Sequence, residues 1–196
     1  VASKVAFGEN PKSCYGSNAN TPQTRMAIAA LLRENLRKAE EYLFDLKSAE
    51  EDEDIDKPEF DIKLESLIPV LKKEIPLKAH AHRADDMFTA IRIAQEFDLK
   101  LDHCTEGHMI VEELLEEDYP LIVGPSLSER SKIELRNLTF ETAGILSNAG
   151  KDICIMTDHP VIPLQYLPIC AGLAVKYGMK QEKALEAITI NPAKVL

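Results

Sequence analysis

Short apolar runs alternate along this chain with longer amphipathic stretches. β-like runs stand at VAFG (5–8), PLKAHAH (76–82), KLDHC (100–104), LIVGP (121–125) and DICIMTD (152–158). Helical spacing fills the intervals. Thr21 and Pro22 read as an N-cap and N1 pair, after which Met26, Ala30, Leu31, Ala39 and Leu43 recur at helical spacing and predict a long amphipathic helix. Leu64, Leu67, Ile68 and Leu71 form the next apolar stripe, with Pro69 placed to kink or restart it. Further helices are predicted over 85–97, 107–117, 141–149, 164–176 and 181–188. Strands joined by crossovers of about a dozen residues or more are the pattern of parallel βαβ units. Such strands fit an open doubly wound sheet or part of a barrel. No G-x-G-x-x-G or G-x-x-x-x-G-K-[ST] follows any of them, which removes the commonest reason to choose a nucleotide-binding sheet.

Composition narrows the classes. With 196 residues and 45% hydrophobic content the chain can bury a core of its own, and a single domain is expected. The formal charge of -10 and pI near 5.0 argue against nucleic acid or an anionic membrane as partner, because like charges repel. The acidic run EEDEDID (50–56) repels itself and reads as a solvated loop tip. No apolar run approaches the roughly 18–20 residues of a membrane span, and the N-terminal residues lack the zones of a signal peptide. Cys14, Cys104, Cys154 and Cys170 show no C-x-x-C spacing, so the expectation is a soluble, cytoplasmic protein with free thiols. The apolar start at Val1 and the ending ITINPAKVL suggest a piece of something larger.

The candidate chemistry lies in the histidines. His80, His82, His103, His108 and His159 all stand at or just beyond the C-terminal end of a predicted strand, and Asp158 closes the last one. In α/β barrels residues from separate strands converge at that face. Neutral imidazoles with a carboxylate suit zinc and similar divalent ions. Such an ion lowers the pKa of a bound water from about 15.7 to about 7. Asp158 could both hold the ion and pass the water's proton to a leaving nitrogen. Taken singly, His108 or His159 reads as an ordinary hydrogen-bonding residue. For His80, His103 and Asp158 together, repetition at one level of three strands favours ligation, since a buried His needs a partner and gains nothing from such repetition. His82 shares a face with His80, so either side chain suits the centre.

The series HAHRADDMFTAIRIAQEF, HCTEGH, TDHPVIP and ALEAITINPAKVL resembles the amidohydrolase superfamily, most of all the branch with imidazolonepropionase-like hydrolases and Xaa-Pro dipeptidases. GENPK and TPQTRMAIAALLRENLRKAEEY are similar to the same branch, so the resemblance covers nearly the whole chain. It implies a partial (β/α)8 barrel, about strands 4 to 8 with parallel strands and their helices, as one incomplete domain over 1–196. The first three strands, with their His-x-His pair, and a β-sandwich would be absent. It further implies metal ligation by His80, His103 and Asp158, with Asp158 as proton shuttle and Glu9 in the place of a bridging carboxylate. His82, Arg83, Asp86 and His159 are the implied substrate contacts, and the first three could equally orient His80. The implied activity is hydrolysis of a C–N bond in a cyclic amide or peptide-like small molecule, with one or two divalent ions in the intact protein, zinc being the ion the resemblance implies. A deaminase of the same superfamily and a non-catalytic fragment with a structural or partner-binding role stay open. An incomplete barrel has exposed edges, so low stability, an inactive fragment, or association into a homo-oligomer through those edges is expected.

Overall fold

A computed structural model of the chain describes residues 2–16, 20–97, 99–118 and 120–195, with the backbone alone for 99–102. Its frame is a parallel sheet of five strands: β1 (Ser3–Ala6), β2 (Leu77–His80), β3 (Leu99–His103), β4 (Leu121–Val123) and β5 (Ile153–Ile155). The spatial order follows the sequence order, with β1 and β5 at the edges. Each strand lies within or beside an apolar run recognised above. β4 and the edge strand β5 read as continuous apolar segments because both faces are covered: every residue of each is buried.

The helices are α1 (Glu9–Gly16), α2 (Arg25–Glu51), α3 (Ile62–Glu65), α4 (Ile68–Leu71), α5 (Ala84–Phe97), α6 (Val111–Leu115), α7 (Glu141–Asn148), α8 (Leu167–Lys176), α9 (Gln181–Glu186) and α10 (Ile190–Val195). The long helix is present, but its start differs from the expected Thr21–Pro22 pair. Thr24 is the cap: its backbone is extended and its hydroxyl accepts the Ala27 N–H at 3.1 Å. The helix runs through Glu51, so it takes up the start of the acidic run and leaves 52–56 as an exposed loop. Pro69 does restart the chain, standing in the first turn of α4 after α3 has ended. The single helix expected over 107–117 is divided into a 3-10 turn at Gly107–Met109 and α6, the break falling at Ile110.

α2 buries Ile28, Ala29, Leu36, Ala39 and Tyr42, and α5 buries Met87, Ala90, Ile93 and Phe97 against the sheet. Ile28, Ala29 and Leu36 share one apolar cluster with these α5 residues and with Leu77, Leu121 and Ile153 of the sheet, and that packing fixes the strand ends. Ala6, His80 and Asp102 lie level across β1, β2 and β3, and His103, Val123 and Ile155 lie level across β3, β4 and β5. The register therefore brings His80 and His103 to one end of the sheet, on neighbouring strands. Among the described residues no helix is long and apolar enough to cross a membrane.

Candidate metal centre

Three imidazoles meet at that end. His80, His82 and His103 are all buried, and each offers a nitrogen such that the three atoms lie within 4.8 Å of one another. Ring centroids are 4.1 Å apart for His80 and His103, 4.7 Å for His80 and His82, and 4.9 Å for His82 and His103. The backbone beside them is tied down: Phe7 N–H donates to His80 O at 2.9 Å, and Glu106 N–H donates to His82 O at 3.0 Å.

The hydrogen bonds on the outer side of the cluster select tautomers. His103 Nδ1–H donates to the Gly124 carbonyl at 3.0 Å, which leaves Nε2 deprotonated. That Nε2 is buried and has no hydrogen-bond partner. The Thr105 hydroxyl donates its proton to His103 O at 3.3 Å, so at the 2.6 Å contact His82 Nδ1 must be the donor and Thr105 Oγ1 the acceptor. His82 Nε2 then also keeps its lone pair. At His80 the Asn10 amide donates to Nε2 at 3.2 Å.

Burial first, then the Lys4 charge at all three, the Lys132 charge at His80 and His82, and neighbouring imidazoles at His80 and His103, push the imidazole pKa values down from 6.5 to about 3 at His80, about 4 at His82 and about 2 at His103. All three are neutral at pH 7. Three converging neutral imidazoles, one with an orphaned buried lone pair, form a donor set that fits a divalent metal ion. Asp158 adds a carboxylate at the rim: its Oδ2 lies 4.0 Å from His103 Nε2, and its side chain is 35% exposed. His103 and Asp158 both take positive φ, 73° and 52°, a region that non-glycine residues rarely occupy and that concentrates at functional sites.

The other candidate residues are placed differently. Neither Glu9 nor Asp158 is among the three tightly clustered ligand groups, and the backbone N–H of Glu9 donates to Glu134 Oε2 at 2.8 Å. Arg83 pairs with its neighbour Asp85 at 2.8 Å. Asp86 is buried and its two oxygens accept from Arg25 Nε at 3.0 Å. His159 is exposed in the turn after β5. His108 is structural: Thr142 Oγ1 donates to Thr105 O, so His108 Nδ1–H donates to Thr142 at 2.9 Å.

Two buried acids escaped the sequence reading. Glu106 accepts from Ala84 N–H, at the start of α5, at 2.8 Å and from Asn137 Nδ2 at 2.7 Å. Glu134, wholly buried, reaches across from the segment between β4 and α7 to hold the β1–α1 turn. Gly8 in that turn has φ 76°, and a Cβ there would meet Glu134 Oε2 at 2.5 Å. The one signal in the sequence is an acid set among apolar residues, as in KIEL, which is weak.

Over 98% of its length the chain is 45% identical to an amidohydrolase from Thermotoga maritima, whose crystal structure it matches with a TM-score of 0.92. It is 24% identical over 213 residues to the amidohydrolase TasK of Hapsidospora irregularis. The chain spans 50% of the Thermotoga chain and 21% of TasK. No family model matches it. These likenesses support the amidohydrolase superfamily and a mixed α/β fold of its type.

Proposed function

We propose that this chain supplies a metal-binding half of a hydrolase active site acting on C–N bonds in small cyclic-amide or peptide-like substrates. The sheet is read as strands 4 to 8 of a (β/α)8 barrel, with the catalytic face at the strands' C-terminal ends. The observation that carries the reading is the buried, partnerless Nε2 of His103, converging with His80 and His82 and facing Asp158. The Thermotoga and Hapsidospora relatives, both named amidohydrolases, support the same class.

His80 and His103 would hold a divalent ion, zinc by the chemistry of the donors, with His82 as either a further ligand or a substrate contact. When bound, that ion would polarise a water and the scissile carbonyl. The remaining work belongs to the chain. Asp158, partly exposed at the rim of the cluster, accepts the water's proton at Oδ2 and returns it to the leaving nitrogen. Gly124 O and Thr105 Oγ1 hold the His103 and His82 rings in the ligating tautomer throughout.

The test is elemental analysis and a hydrolase screen of the full-length protein. Bound metal near stoichiometric amounts, lost with activity in His103→Ala, is the expected result. Full activity after the metal has been stripped would overturn the reading.

A further inference from the structure

A buried acid beside the imidazole cluster takes no part in the hydrolysis proposed above. Glu106 follows Thr105 in the turn after β3. Its backbone N–H donates to His82 O at 3.0 Å, and its Oε2 accepts the Ala84 N–H at 2.8 Å. The residue therefore grips both sides of Arg83, where the chain leaves His82 and enters α5. Ala84 opens that helix, so its N–H has no acceptor within the helix and needs one from elsewhere. The Arg83 side chain is engaged by Asp85.

This grip is continuous with the hold on the ring. Thr105, one residue earlier, accepts His82 Nδ1–H at 2.6 Å. Cys104 O accepts the Gly107 N–H at 3.1 Å and Glu106 O accepts the Met109 N–H at 2.9 Å, so Thr105 and Glu106 stand in one hydrogen-bonded turn and shift together. A third segment fixes the carboxylate: Asn137 donates from Nδ2 to Glu106 Oε1 at 2.7 Å. The same nitrogen faces Met109 Sδ at 3.7 Å, which orients the amide with its donors toward both acceptors. A residue that served only the start of α5 would need one carboxylate oxygen and nothing more. Here the backbone N–H of Glu106 and the neighbouring hydroxyl both go to His82.

Resting on the hydrolase reading above, we infer that Glu106, set in place by Asn137, is a positioning residue for His82: it keeps the ring against Thr105 with Nε2 deprotonated, and itself touches neither ion nor substrate. Once the clasp opens, the His82 backbone shifts and Nδ1 loses Thr105. The imidazole is then free to carry its proton on either nitrogen, and a proton on Nε2 removes a lone pair from the site.

The experiment uses the full-length protein labelled with 15N-histidine and first read without metal, where the two ring-nitrogen shifts of His82 report which nitrogen carries the proton; the signals are assigned by their disappearance in His82→Gln. Wild type should show the Nδ1–H form alone. Asn137→Asp sets a second carboxylate against Glu106 and should turn His82 into a mixture of tautomers, with metal affinity down about tenfold by chelator competition and the His103 signals unchanged. Adding Glu106→Gln to Asn137→Asp should restore both, because the Gln amide donates to the new carboxylate while its oxygen takes the Ala84 N–H. Glu106→Gln alone should behave as wild type, since the Asn137 amide can turn over to meet it. Glu106→Ala should lose as much as Asn137→Asp; if it does not fold, the Asn137→Asp loss and its rescue carry the same test with side chains of nearly unchanged shape. A His82 that stays Nδ1–H in Asn137→Asp, even in a less stable protein, would reduce Glu106 to a loop brace, and so would a double variant that folds yet stays mixed. Tautomer changes as expected in a protein that binds no metal and cleaves no C–N substrate would instead sink the hydrolase reading and leave the positioning of His82 standing.

Discussion

Two buried polar groups sit side by side beyond the strand ends, and they are built on opposite plans. In the Arg25–Asp86–Glu134 group opposite charges lie together: Asp86 takes the Arg25 Nε–H, Glu134 takes the Glu9 N–H, and Arg25 Nη2 lies 3.9 Å from Glu134 Oε2. In the His80–His82–His103 group three like side chains converge, hydrogen bonds occupy the outer nitrogens of His82 and His103, the Asn10 amide donates to His80 Nε2, and the inner Nε2 of His103 is left without a donor. Each group keeps buried atoms without a hydrogen-bond partner, Arg25 Nη2 and Glu134 Oε1 in the first and His103 Nε2 in the second, but only the first holds opposite charges that answer one another within the fold. The first group braces loops; the second brings together neutral donors that could hold a metal ion.

The contrast breaks most sharply at His103. Replacing it with Ala should lower metal affinity by more than about 100-fold, because even residues one step behind a ligand cost about 10–100-fold. Metal competition against a chromophoric chelator measures this, and unchanged affinity would place the ion elsewhere. Asp86→Ala should do the reverse: metal affinity is kept, while stability falls by about 2–3 kcal/mol because the Arg25 cation loses its partner. The lower end of the range suits a pair whose burial pushes the Asp86 carboxyl upward despite Arg25. Gly8→Ala should cost about 1–3 kcal/mol in the same urea titration, since φ 76° and the contact at 2.5 Å both resist a Cβ. Wild-type stability in Gly8→Ala would show that Glu134 does not hold the turn.

pH sharpens the same comparison. The folded imidazoles have pKa values of about 3, 4 and 2 against 6.5 in the unfolded chain. Between pH 6.5 and about 4 the unfolded chain binds protons that the folded one refuses, so the metal-free protein should lose stability as pH falls through that window. Asp86 and Glu134, raised by burial, act with the opposite sign, their folded forms binding protons first as the pH drops. Chaotrope unfolding in a chelating buffer at pH 7 and pH 5 should therefore show the lower stability at pH 5. Equal or greater stability there would mean that the carboxyls, not the imidazoles, dominate.

How much of this was readable beforehand follows from the physics of each feature. The five strands were legible because apolar runs of that length have few other uses, and His80 and His103 were legible because each ends such a run. The cap at Thr24 was not, since Thr21–Pro22 offers an equally good local pattern and only the packing of α2 decides. His82 beside His80 was visible as a spacing, yet which face the ring takes depends on Thr105, a residue 23 positions away. Glu106 and Glu134 were invisible because their partners, Asn137 and the Glu9 N–H, come from other loops. The positive φ of His103 and Asp158 leaves only a weak trace in residue type, since His and Asp tolerate that region better than most side chains but take it up only where tertiary contacts require it.

Thr105 gives the smallest effect and the most selective one. Its hydroxyl donates to His103 O and accepts from His82 Nδ1, so one oxygen sets the tautomer of one imidazole and touches the strand end that carries another. Thr105→Val keeps the shape and removes only that oxygen. Stability should change by about 1 kcal/mol, the ordinary worth of one hydrogen bond. Metal affinity should fall about tenfold, because His82 becomes free to place its proton on the nitrogen that faces the cluster. If the loss matches that of His103→Ala, Thr105 supports the whole cluster and not one ring. If affinity is unchanged, His82 does not ligate, and its role is confined to the substrate side of the site.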